Sequence, residues 1–134
     1  MIEAKNGLVI RYHYLWAREH ERGEDSGRKD RPVCVQIVLK ASGGATLAAL
    51  FPITSQKPQA ERSGLEIPEI EARRVGLRRP CWVMIDEFDT DDLATSAHVA
   101  ETQPLGALSA SFMRQLREAA AQRIRASAYK KIPR

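Results

Sequence analysis

VCVQIVLKASGGATLAALFPITS, residues 33–55, sets two apolar runs rich in β-branched residues on either side of Gly43 and Gly44. Two such runs joined by a Gly-Gly turn predict a β-hairpin, because glycine reaches the positive φ values that a tight turn needs. Proline has no amide hydrogen to give to a central ladder, so the hairpin is expected to end near Phe51 or to bulge at Pro52.

Upstream, GLVIRYHYLW (7–16) alternates β-branched and aromatic residues with polar ones and predicts a first strand with one buried face. The stretch EHERGEDSGRKDRP (19–32) lies between this strand and the hairpin; it has no helical apolar stripe and holds Gly23 and Gly27, so a flexible connection is expected. Downstream, LEIP (65–68) predicts an edge strand. In PEIEARRVGL (68–77), proline leads and glycine lies near the end, the asymmetry of a short helix. CWVMIDEF (81–88) reads as one buried strand, and DTDDLATSAHVAETQPLGA (89–107) as loop with at most a short strand. In SASFMRQLREAAAQRIRAS (109–127), Ser109 is the expected N-cap. Phe112, Leu116, Ala119, Ala120 and Ile124 recur at spacings of three and four, which predicts an amphipathic helix. Strands with a short helix between them and a longer helix last describe a mostly β domain, a small β barrel with helical decoration, over 1–134.

Composition narrows the function classes. With 134 residues the chain has the length of one core, and its apolar runs fall far short of the roughly 20 residues that span a bilayer. The N-terminus lacks a long apolar stretch before a cleavage site, so the reading is cytoplasmic, with no membrane. Cys34 and Cys81 each lie in apolar runs and read as buried small hydrophobes. Neither belongs to a CxxC pair, and the three histidines are scattered, so no metal and no cofactor is expected. A net charge of +4 fits a polyanionic partner without demanding one.

Polar residues gather at strand ends: Arg28, Lys29, Asp30 and Arg31 before the hairpin, Thr54, Ser55 and Gln56 after it, and Asp86 and Glu87 in CWVMIDEF. The hairpin brings its two outer ends together, which puts Arg31 beside Thr54. A forked guanidinium next to a hydroxyl suits a phosphodiester, although ordinary sheet-edge polarity accounts for the same spacing.

In order along the chain, GLVIRYHYLW, a charged loop ending KDRPVCVQIVL, then LFPITSQ and CWVMIDEF resemble the PemK and MazF family of toxins from bacterial toxin–antitoxin systems. The resemblance covers residues 7–90, and more loosely the last helix. It implies an SH3-like barrel of the CcdB/MazF type, a homodimer, and metal-independent cleavage of single-stranded mRNA at short sequences. A ribose 2′-hydroxyl attacks the adjacent phosphate, leaving a 2′,3′-cyclic phosphate. It also implies a cognate antitoxin that covers the groove. On this resemblance Arg31 and Thr54 are the catalytic pair, while Arg28, Lys29, Asp30, Ser55, Gln56 and Glu87 are candidates to bind RNA. Asp30 and Glu87 stand beside Arg31 as alternatives for the general base. Tyr14 and Trp16 are candidates to stack on bases, and Trp82 is expected in the core. Two alternatives share the fold: a toxin that binds a protein target such as gyrase, and a catalytically silent SH3-like interaction module. The basic RRVGLRRP (73–80) and the long charged loop depart from the compact members of the family.

Overall fold

The computed structural model describes residues 2–24, 29–40 and 45–134. Among the described residues it is mostly β, with eight strands and three helices. The strands are β1 (Leu8–Tyr12), β2 (Arg31–Lys40), β3 (Thr46–Thr54), β4 (Gly64–Glu66), β5 (Trp82–Met84), β6 (Glu87–Asp92), β7 (Gly106–Ala107) and β8 (Lys130–Pro133). The helices are α1 (Ala17–Glu21), α2 (Glu69–Arg74) and α3 (Ala110–Arg125). The main path runs β4-β5-β3-β2-β1-β7; β6 pairs with β3, and β8 lies parallel to β6.

β2 and β3 form the expected antiparallel pair, from Val33 opposite Pro52 to Lys40 opposite Thr46, with a register shift between Ile37 and Leu39. The turn at 41–44 lies outside the described residues. Alternation sends Cys34, Ala49, Phe51 and Ile53 to one face, where they pack with Ala72 of α2 and Phe112, Met113, Leu116 and Ala120 of α3. Val33, Val35, Ala48 and Leu50 go to the other face and join Ile10, Tyr12, Tyr14 and Trp16. Both faces are covered, which is why the hairpin reads as nearly continuous apolar sequence.

Where the structure departs from expectation, the causes are local. The β2–β3 ladder ends at Val33 opposite Pro52, as expected, but β3 itself continues to Thr54. On the side away from β2, it pairs with β6 through Leu50 and with β5 from Ile53. Phe51 and Pro52 fall in the gap between these ladders, where a missing amide hydrogen is tolerated. The same handover divides CWVMIDEF into two strands with a corner at Ile85 and Asp86, and carries β6 on to Asp92. The first strand stops at Tyr12, and the charged stretch begins in α1 rather than as a plain connection. Trp82 is only half-buried.

α3 follows its predicted stripe. The Phe112 amide donates to the Ser109 hydroxyl at 3.1 Å, the expected cap. Phe112, Leu116 and Ala120 are buried, and the two large side chains contribute roughly 1.5–3 kcal/mol apiece. Ile124 departs from the stripe and is 44% exposed. Gly7, at φ +89°, opens β1 where a Cβ would lie 2.8 Å from the Leu108 carbonyl oxygen; the backbone conformation and the close approach both require glycine.

Both cysteines are buried and free, as expected. Cys34 packs against Met113, its Sγ 3.5 Å from the thioether sulfur, and burial pushes its thiol up to about 12. Neither cysteine is therefore expected to react with a thiol-exchange reagent at pH 8 until denaturant is added, since the thiolate is the nucleophile. Titration of one thiol or more in the native protein would contradict this placement.

Candidate functional site

β1 and α1 are joined by a short segment whose placement is governed by acids on β6. Glu87 and Asp89 lie two residues apart and so share a face of that strand. The Leu15 amide donates to Asp89 Oδ2 at 2.9 Å, and the Ala17 amide donates to Glu87 Oε1 at 3.0 Å. Between them, Trp16 is fixed as the N-cap residue of α1, and its own amide donates to Glu19 Oε1 at 3.1 Å. Burial pushes the Asp89 carboxyl up to about 7, against the pull of the Leu15 amide and Arg134.

The indole so placed carries two guanidiniums. Those of Arg18 and Arg31 each lie 4.8 Å from the Trp16 ring centroid, within cation–π range. Among the described residues, neither donates to a carboxylate. Burial lowers the Arg31 guanidinium from its ordinary value, and the charge of Arg18 adds to the effect. Two cations share one apolar ring, and among the described residues neither forms a salt bridge, although the nearby Glu19 carboxylate attracts Arg31; the pair leaves donors for an anion.

The β2–β3 ladder runs as far as Val33 opposite Pro52, and Arg31 and Thr54 each lie two residues beyond it, at the same end of the strand pair. The Thr54 hydroxyl accepts from the Gln56 amide at 3.1 Å, which leaves its own hydrogen to donate elsewhere. Arg31 and Thr54 line one open groove of about 1020 Å³, together with Asp30, Ser55 and Gln56. The structure thus brings five of the eight predicted site residues to one place. Lys29 is exposed and does not line the groove, and Arg28 lies outside the described residues.

Glu87 is placed elsewhere. It is 5% exposed, and its carboxylate accepts from the Tyr14 hydroxyl at 3.0 Å as well as from Ala17 and Arg62. These donors tie it into the interior, away from the groove wall. Tyr14 is buried and engaged with Glu87, so it offers no stacking surface; Trp16 does line the groove, but with the two guanidiniums on its ring. Asp30 is paired with Arg11, whose hydrogen bond holds its carboxyl below the usual carboxylate range.

The groove also takes Arg11, Arg18, Lys57, Arg62 and Arg78 into its wall. None of these stood out in the sequence as a site residue. With Arg31, they make six cations against the single carboxylate of Asp30, itself already paired. Arg11 had one readable signal: it is the charged residue of LVIRY. Arg62 is gathered from a polar connector that carries no pattern. Among the described residues, no three His, Cys, Asp or Glu side chains form a group able to hold a metal ion, and no helix is long and apolar enough to cross a membrane. Compared with models of protein families, with curated proteins and with solved structures, the chain matches none of them.

Proposed function

We propose that this protein is an endoribonuclease of the PemK and MazF kind, the toxin of a toxin–antitoxin pair, cleaving single-stranded RNA without a metal. The observation that carries the chemistry is the pair of guanidiniums on Trp16, which make no salt bridge among the described residues, in one groove with the Thr54 hydroxyl. The toxin role, the SH3-like barrel type and the homodimer rest on the ordered resemblance over residues 7–90. The antitoxin would be an acidic chain complementary to the cationic groove.

In the proposed reaction, the scissile phosphate sits between Arg31 and Thr54. The ribose 2′-oxygen forms a bond to phosphorus, the bond from phosphorus to the 5′-oxygen breaks, the 2′-hydroxyl proton passes to Asp30, and the departing 5′-oxygen takes a proton from water. Arg31 and the free hydrogen of Thr54 donate to the non-bridging oxygens as charge builds on them, and Arg18 adds positive potential. Asp30 is a weakened base because Arg11 stabilises its charged form, and Glu87 is buried away from the groove. Arg31 in its charged form has no lone pair to accept a proton, so Asp30, the carboxylate that lines the groove, takes it.

The test is to incubate the purified protein in EDTA with a mixed-sequence RNA and to map the ends. Cleavage leaving 2′,3′-cyclic phosphates and 5′-hydroxyls is expected, and Thr54→Ala is expected to slow it by about tenfold to a hundredfold, the effect of one lost donor beside a stronger one. Intact RNA alongside arrested growth would sink the nuclease and leave a toxin that binds a protein target.

A further inference from the structure

Arg18 and Arg62 border more than the groove. Both arginines also belong to the wall of a second recess, of about 390 Å³, which extends to the end of α3 and the start of β8. Its carboxylates are already matched: Glu21 pairs with Lys130, while Asp86 and Glu87 both pair with Arg62. Arg18 and Arg123 are left, and among the described residues neither donates to a carboxylate. Arg123 instead donates from Nε to the Ala128 carbonyl at 3.0 Å, which pins the turn that carries Tyr129.

Tyr129 gives the recess an aromatic wall. Its ring lies parallel to that of Phe88, with an interplanar angle of 2° and centroids 5.8 Å apart. Phe88 is buried and absent from the recess wall, whereas Tyr129 is half-buried and lines it. The ring thus packs against the core while also lining the recess. An aromatic ring packed against the core beside leftover cations, in a recess that shares Arg18 and Arg62 with the cationic groove, matches what a single nucleic-acid strand requires: stacking for a base and positive charge for its phosphate.

We infer that this recess is a second nucleotide subsite, into which the strand bound at Arg31 and Thr54 continues past Arg18 to stack a base on Tyr129 beside Arg123. This inference rests on the reading of the groove as a site for single-stranded RNA. A strand long enough to reach from the groove into the recess gains affinity that a short one confined to the groove lacks.

The experiment measures dissociation constants for two fluorescent single-stranded oligonucleotides, 2′-fluoro-substituted to prevent cleavage, of about 4 and about 12 nucleotides. Wild type is expected to prefer the longer, and Tyr129→Ala to weaken that one by about tenfold while leaving the shorter within twofold. Tyr129→Phe retains the ring and should retain the preference. Arg123→Gln, which keeps a side chain able to donate to Ala128, should reduce it and carries the test if Tyr129→Ala fails to fold. Wild type binding neither oligonucleotide would overturn the RNA reading together with the subsite. Wild type binding both, with a preference for length that survives in the variants, would overturn the subsite alone.

Discussion

Arg31→Lys is expected to reduce RNA cleavage by about 10²–10³-fold, the usual effect of removing one preorganised donor to a developing oxyanion. The charge survives the substitution, so the loss isolates geometry. An ammonium cannot stack its plane on Trp16 or present two parallel donors to a phosphate, and it carries a tighter hydration shell into a half-buried site. The guanidinium of Arg31 makes no ion pair among the described residues, so its replacement leaves no carboxylate stranded and the folded state should be nearly as stable as wild type. The measurement is the initial cleavage rate in EDTA, with thermal melts of both proteins alongside. Full activity in Arg31→Lys would show that point charge alone suffices and that the indole platform is incidental. A loss matched by a lowered melting temperature would move Arg31 from the chemistry to the scaffold.

Much of this arrangement was legible in the residues, and what was hidden has a common physical cause. The hairpin, the short helix, Ser109 and the stripe of α3 are written in local periodicity and capping, which act within a few residues. That Arg31 and Thr54 come to one groove is what hairpin closure led one to expect. The corner in CWVMIDEF was not legible, because Ile85 and Asp86 have ordinary strand neighbours; what turns the chain there is a change of partner along β3. β8 was hidden for the same reason. KKIP carries little strand signal, and its partner lies more than forty residues away in β6. Arg18 stands one residue before the quoted charged stretch, and nothing local says that its guanidinium shares an indole with Arg31. Glu87 was misplaced because a carboxylate at the end of an apolar run looks exposed, and only the fold reveals the amide, phenol and guanidinium that converge on it.

That convergence carries the second large effect. Glu87→Ala is expected to lower the unfolding free energy by about 3–5 kcal/mol, the range for removing one partner of a buried charged pair. Alanine leaves the fully buried Tyr14 hydroxyl and the Ala17 amide without their acceptor, and each orphaned group adds about 1–3 kcal/mol of unrecovered desolvation before relaxation. Arg62 loses one of two carboxylates but keeps Asp86, to which it donates from Nε at 2.7 Å and from Nη2 at 2.9 Å, so its charge is not left bare. Glu87→Gln should therefore cost much less, because an amide oxygen can still accept from Tyr14 and Ala17. Urea unfolding of the three proteins checks both values, with an unchanged slope showing that the folded and unfolded states keep their compactness. A loss below about 1 kcal/mol in Glu87→Ala would mean that water replaces the carboxylate and that the interior is wetter than its burial implies. The two substitutions also separate scaffold from site: the Ala17 amide tethers α1, and α1 carries Arg18 to the face of Trp16. Glu87→Gln should thus leave the guanidinium pair in place and cleavage close to wild type, whereas a direct contact between Glu87 and RNA would make it fall with the fold intact.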